Sequence, residues 1–285
     1  MVDLHVHSVF SDGTLTPAEL ISLAQENGVS AVALCDHNTV AGLPSFLAAA
    51  KGSGVKAVPG VEFSTEYRGK ELHILGLFIR HEHYGAVTAL LDEMLERKER
   101  SSIDLCEALG REGILMDYAA IKAGTPDGYV NRAVIGAEMV RLGVCGSVQE
   151  AFSRWLNPKR GYYQPPERLD ALDVIRFIKS IGAVAVLAHP FLALDAAELR
   201  DFLRQAVAAG LDGMETMYPL FDEETTRLAE EIAGEFGLLP SGGSDFHGAN
   251  KPDICLGAGR GGMSVPETVL QNLENRWKKK ENLFA

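Results

Sequence analysis

Short apolar runs ending in polar residues recur at positions 2–7, 31–35, 56–62, 71–78, 183–188, 213–217 and 238–241, and between them apolar residues fall at helical spacing. About seven strands alternating with helices predict an α/β fold, a mostly parallel barrel. The first helix carries local signals: Thr16 as N-cap, Pro17 at the first helical position, Glu19 to complete a capping box, and Gly28 beyond the last turn. From about residue 84 to 166 the alternation stops. A charged helical stretch at 91–112 is followed by shorter helical segments at 131–142 and 148–155, and Pro165-Pro166 punctuates the return to helical spacing at 169–181. The pattern divides into a barrel of residues 1–84 and 166–285 and an inserted small helical subdomain of residues 85–165.

A chain of 285 residues with 46% hydrophobic content is long and apolar enough for one large barrel with a sizeable core. Charge narrows the function. With 39 Asp and Glu against 27 Lys and Arg, the net charge of -12 opposes general attraction to a nucleic-acid backbone or an anionic membrane. A phosphorylated substrate must then be met by a local basic patch or by metal ions. Cys35, Cys106, Cys145 and Cys255 are scattered and make no CxxC pair, as expected of reduced thiols in a cytoplasmic protein. The chain enters an apolar strand directly after Met1, without a basic leader or cleavage site, and no run approaches the roughly 20 apolar residues of a membrane span. Neither export nor membrane insertion is expected. Lys278-Lys279-Lys280 reads as a solvated helix end.

The polar residues at the strand ends are largely histidines and carboxylates. His5 and His7, two apart on a strand, point to one side of the sheet and suit one metal, although a structural pair would read the same. Asp12 follows at the carboxyl end of that strand, where a barrel keeps its active site; its other reading is a turn aspartate before Gly13. In Cys35-Asp36-His37, His37 is the better ligand and Asp36 the better partner for orienting its ring, with N-capping as the competing role of Asp36. Glu62 closes the third strand among apolar neighbours, and a buried carboxylate needs a metal or an ionised base beside it. His73 lies within the fourth strand, where a core histidine bonded to a backbone carbonyl is the alternative. His189 ends the run at 183–188, and Asp245 and His247 share one side of an extended segment after Gly242-Gly243, whose lack of side chains lets backbone come close. Six of the eight histidines thus fall at or near strand ends with three carboxylates, more than independent structural histidines would supply. His81 and His83 follow Arg80 in a polar segment and read as a solvated surface pair.

These residues resemble the polymerase and histidinol phosphatase (PHP) family of metal-dependent phosphoesterases, among the amidohydrolase-like barrels. The likeness spans nearly the whole chain, from His5-Val6-His7-Ser8 with Ser11-Asp12-Gly13, through Asp36-His37, Gly60-Val61-Glu62, His73 and His189-Pro190, to Gly243-Ser244-Asp245-Phe246-His247. The resemblance implies a distorted seven-stranded (β/α)7 barrel and two or three divalent metal ions. His5, His7, Glu62 and Asp245 would hold the first, Glu62, His73 and His189 the second, and Asp12, His37 and His247 the third. None of the nine is substituted, which opposes a degenerate domain kept only for structure. The length and the insert resemble the subgroup that removes phosphate from nucleoside 3',5'-bisphosphates and trims short 5'-phosphorylated RNA. Two departures stand out: the Arg-x-His of that subgroup's insert is Arg132-Ala133-Val134 here, and its Asp-His-Asp is Asp36-His37-Asn38. Arg132 is the expected phosphate fork, with Lys159, Arg160 and Tyr163 as further candidate substrate contacts from the insert; an ordinary solvated basic turn is the competing reading.

Imidazole and carboxylate ligands without thiolates suit manganese, iron or zinc better than magnesium alone; manganese is the metal expected, with iron or zinc as alternatives. The expected nucleophile is a hydroxide bridging two ions, attacking phosphorus in line. The expected substrate is small and phosphorylated, a nucleotide or a short oligonucleotide. A cyclic phosphodiesterase or a sugar-phosphate phosphatase is the competing enzyme, for which the valine at position 134 leaves room. A metal-stabilised binding module without turnover is the competing class, which loss of a catalytic rate on chelation would exclude. Oligomeric state is not legible.

Overall fold

The computed structural model describes residues 1–125, 130–166 and 168–284, without the side chains of 281–284; the stretch of the insert at 126–129 and position 167 lie outside the described residues. Two compact units are formed, Met1–Thr88 with Leu169–Ala285, and Ala89–Arg168. The first contains β1 (Val2–Val6), β2 (Ala31–Leu34), β3 (Lys56–Tyr67), β4 (Lys70–Leu77), β5 (Leu169–Asp170), β6 (Val184–Leu187), β7 (Gly213–Met217) and β8 (Leu239–Gly242). They neighbour one another in the order β1-β2-β3-β4-β6-β7-β8, with the two-residue β5 beside β3. Beyond β8 the chain returns to β1: Val6 bridges Phe246 in parallel, the His7 N–H donates to the Phe246 carbonyl at 2.9 Å, and the Asp245 N–H to that of His5 at 2.8 Å. A nearly closed seven-strand barrel results.

β1, β2 and β6 are buried along their whole length. That is why β2 and β6 read as continuous apolar runs, whereas β1 carries Asp3 and His5 between Val2, Leu4 and Val6. Leu4, Ala33, Val58, Leu75, Leu77, Val184 and Val186 form one core cluster. The helices, in chain order, are α1 (Pro17–Glu26), α2 (Leu43–Ala50), α3 (Tyr84–Arg111), α4 (Tyr118–Gly124), α5 (Arg132–Arg141), α6 (Val148–Ala151), α7 (Ala171–Ser180), α8 (Ala196–Ala209), α9 (Glu223–Glu235) and α10 (Glu267–Phe284). α1 starts with the capping box expected of Thr16 and Glu19. α10 packs Val269, Leu270 and Leu273 on the barrel core. Lys280 on that helix is not the solvated end expected of it: its Nζ donates to Asp212 Oδ2 at 2.5 Å and to the Ala183 carbonyl at 2.9 Å, because Asp212 is buried and needs a cation.

The sheet is mostly parallel, as expected, with one exception. β4 runs antiparallel to both β3 and β6. β3 extends well past Glu62 and turns back over Arg68 and Gly69, both at positive φ, as a two-residue hairpin requires. Glu62 therefore lies inside its strand instead of closing it.

In the second unit, Leu105, Leu109, Val130, Ile135, Met139, Ala151 and Leu156 form a separate core. α4, which the apolar spacing did not reveal, starts at the N-cap Asp117. Among the described residues, no helix is long and apolar enough to cross a membrane.

Candidate metal centre

Backbone hydrogen bonds tie the ligand-bearing segments to one another around the barrel. The Cys35 N–H donates to the Val6 carbonyl, the Asn38 N–H to that of Glu62, the Ala188 N–H to that of His73, and the Asp245 N–H to that of His5. This ladder brings His5, His7, Asp12, His37, Glu62, His73, His189, Asp245 and His247 together, as overlapping groups whose candidate donor atoms lie within 4.8 Å of one another. His7, Asp12, His37 and His247 form one group, and His5, His7 and Asp245 a second. Glu62 belongs to two more, with His5 and His189 and with His37 and His73.

Glu62 is fully buried, and five imidazoles converge on it. Its Oε2 lies 3.1 Å from His5 Nε2, 3.2 Å from His7 Nε2 and 3.1 Å from His37 Nδ1; its Oε1 lies 2.8 Å from His73 Nδ1 and 3.1 Å from His189 Nε2. The three contacts to Oε2 do not have hydrogen-bond geometry: Glu62 Oε2, His5 Nε2, both His7 nitrogens and His37 Nδ1 are buried without a hydrogen-bond partner. Polar atoms so placed are costly in a folded protein, and a cation among them removes the cost. The residues present therefore fit divalent metal ions.

Electrostatics agrees. Burial would raise the Glu62 and Asp245 carboxyls, but His5 holds Glu62, and the histidines His7 and His5 hold Asp245, well below the ordinary carboxylate range. Burial lowers His37 to about 4, so its ring is neutral with a lone pair to give. Asp12, on the exposed loop after β1, is also depressed, against its partial burial, by His247, whose Nε2 is 3.2 Å away.

Supporting residues complete the site, several of them missed in the sequence. Asp245 turns Oδ1 toward His7 Nε2 at 3.3 Å, while its Oδ2 accepts from Tyr218 Oη at 2.8 Å and Lys251 Nζ at 2.6 Å. Burial and the Asp245 carboxylate push the Tyr218 phenol up, so it stays a donor. Glu215 accepts from the His189 N–H, and Gly243 touches β1: a Cβ there would stand 2.4 Å from that of His5. His189 and Asp245 hold φ values of 29° and 52°, rare for residues with side chains. The ring-orienting role expected of Asp36 is corrected: its carboxylate accepts from the Ser8 N–H and from the hydroxyls of Ser8 and Ser11, each at 2.7 Å, and so fixes the loop that carries Asp12. Ser8 and Ser11 follow the HxH directly, which is the signal that could have paired them with it.

Arg132, Lys159, Arg160 and Tyr163 all lie in the second unit. Arg132 packs its guanidinium over the Tyr163 ring at 4.4 Å and faces Phe152 at 5.5 Å, while Lys159 and Arg160 are exposed on a short turn. Among the described residues His81 and His83 join no metal-binding group; they sit on a turn before α3, His81 exposed and His83 half-buried.

A family model described as the PHP domain matches residues 3–157. The chain belongs to the PHP family. Its PHP relatives include a 5'-3' exoribonuclease of Haemophilus influenzae, 35% identical over 86% of this chain and 89% of its own length. A phosphoribosyl 1,2-cyclic phosphate 1,2-diphosphodiesterase of Eggerthella lenta is 31% identical over 86% and 94%, and a 3',5'-nucleoside bisphosphate phosphatase of Chromobacterium violaceum 29% identical over 94% and 91%. A solved amidohydrolase structure from Chromobacterium violaceum, with bound sulfate and no metal, superposes with a TM-score of 0.70 at 26% identity, covering 96% of both chains. This PHP chain is thus a metal-dependent phosphoesterase, and its barrel is the PHP barrel.

Proposed function

We propose that the nine clustered residues hold two or three divalent metal ions, manganese foremost, and that the enzyme hydrolyses the phosphate ester of a small nucleotide-type substrate, a nucleoside 3',5'-bisphosphate or a short 5'-phosphorylated oligonucleotide. The observation that carries the metal assignment is the convergence of five imidazoles on the two oxygens of Glu62. The substrate class is supported by what the exoribonuclease and bisphosphate phosphatase relatives act on.

Bound divalent metals supply a nucleophile active near neutral pH and positive charge for the phosphoryl oxygens. The chain's own residues set the geometry for this. Glu62 presents one oxygen to His5, His7 and His37 and the other to His73 and His189, so a single carboxylate serves both sides of the site. Asp245 keeps Oδ1 toward His7 because Tyr218 and Lys251 occupy Oδ2. The His247 Nδ1 lies 2.8 Å from the Asp245 carbonyl, which leaves Nε2 to face Asp12. Asp12 is the exposed member of the set and marks the side from which substrate arrives. Arg132 is proposed for the ester's phosphate, with Lys159, Arg160 and Tyr163 as further candidate contacts from the insert; guanidinium matches two phosphate oxygens at once.

The test is phosphate release from adenosine 3',5'-bisphosphate by manganese-loaded protein, with chelated protein as the blank. Metal-dependent release is expected, and short 5'-phosphorylated RNAs then resolve chain length. A second reading, cyclic phosphodiesterase, is favoured by the Eggerthella relative and by valine at position 134 where the bisphosphatase pattern has histidine. Hydrolysis of a ribose 1,2-cyclic phosphate without release from the bisphosphate would select it.

A further inference from the structure

We infer that Glu215 is a positioning residue that sets two ligand histidines at once: it fixes the His5 ring so that Nε2 is free for a metal, and it holds the His189 backbone where that ring reaches Glu62. This rests on the reading of the site as a metal centre.

Glu215 stands in the middle of β7 and is fully buried. Its Oε1 is 3.0 Å from His5 Nδ1, and its Oε2 accepts the His189 N–H at 2.7 Å. One carboxylate thus reaches a side chain on β1 and the backbone just beyond β6. A carboxylate only accepts, and a neutral imidazole carries one N–H, so the His5 proton belongs on Nδ1 and the lone pair on Nε2. That nitrogen faces Glu62 Oε2 at 3.1 Å and Asp245 Oδ1 at 3.8 Å, and it is among the buried atoms without a hydrogen-bond partner. At His189 the backbone is at φ 29° and ψ 55°, outside the conformations such a residue prefers, and its N–H points at Glu215. Its ring Nε2 meets Glu62 Oε1 at 3.1 Å, on the other oxygen from His5. Glu215 is therefore common to two histidines that face different oxygens of Glu62.

The amide isostere separates this role from one of mere volume. Glutamine has one accepting oxygen and one donating NH2. If the oxygen serves the His189 N–H, the NH2 faces His5 Nδ1 and forces the ring proton onto Nε2, closing that nitrogen to metal. If the amide turns over, the NH2 collides with the His189 N–H. Neither orientation satisfies both partners.

Zinc binding by wild type and Glu215→Gln would be titrated against a chromogenic chelator, with melting of the chelated proteins alongside. Loss of affinity by about ten- to a hundred-fold in a variant that still melts cooperatively is expected. Affinity within threefold of wild type overturns the inference, whereas a wild type that binds no zinc overturns the metal centre itself. Should the variant fail to fold, the zinc-loaded wild type decides by nitrogen-15 imidazole spectroscopy. A proton on His5 Nδ1, shifted downfield and protected from exchange, is the expected signature; a proton on Nε2, or a freely exchanging Nδ1 proton, overturns the inference.

Discussion

A carboxylate offers about four lone-pair directions, and Glu62 meets five ring nitrogens within 3.2 Å. In chelated protein His5 and His73 hold protons in place of metal. Burial alone would lower His5 and His73, but Glu62, joined by Glu215 at His5 and Glu71 at His73, raises both, His73 to about 9. Metal must displace these protons, so loading at pH 7.5 should release protons and apparent affinity should climb with pH. Calorimetry in two buffers of different ionisation enthalpy checks this; a buffer-independent heat refutes it. The same shift makes chelated protein less stable as pH rises. A ring whose folded pKa exceeds the ordinary 6.5 stabilises fully below that value and loses its contribution toward about 9. Asp245→Ala and His247→Ala should each reduce turnover by at least about a hundredfold while chelated protein melts as a folded domain; full activity in either would argue against this site. That the nine residues would gather was legible because most of them interrupt or end an apolar run. Glu215 gives the same signal, a charge within Gly213-Met214-Glu215-Thr216-Met217, but its partners lie 210 and 26 positions away and cannot be paired by inspection.

At the level of elements, β3 and β4 place Glu62 and His73 through a hairpin register in which Ser64 stands opposite His73 and Leu75 opposite Glu62. A slip of one residue would turn every side chain to the other face. The seven wall strands were legible from their apolar runs, but the reversed direction of β4 was not. Arg68-Gly69 lacks the Asn-Gly or Asp-Gly signature of such turns, and a buried strand reads alike in either direction. Where β8 meets β1, Gly243 permits backbone contact that a side chain forbids, since an added Cβ would lie 2.5 Å from the His5 nitrogen. Gly243→Ala should destabilise the protein by about 1–3 kcal/mol through overpacking and weaken metal binding through displacement of His5. Thermal melts with and without manganese test both; an unchanged melt in either condition would contradict the contact.

For the molecule as a whole, the net charge of -12 includes carboxylates that the metal centre gathers in one place. Metal binding to the folded chain alone should raise its stability by mass action, by about 2.7 kcal/mol at a free concentration one hundred times the dissociation constant. A melting temperature that climbs with the logarithm of manganese concentration is the expected outcome, and one that stays flat would argue against metal binding to the folded chain. The acidic balance read from composition suits a site that binds phosphate through cations.

The rungs between His5 and Asp245 and between His7 and Phe246 join the beginning of the chain to a point close to its end. As the polypeptide leaves the ribosome, His5, His7, His37, Glu62 and His73 are made early, long before the partners that complete their groups. An interrupted chain ending before Asp245 would lack Asp245 and His247 and the segment that returns to β1. The two groups that contain Asp245 or His247 therefore stay incomplete until both sides of this closure have been made, whereas the two built on Glu62 with His5 and His189 and with His37 and His73 do not wait for it.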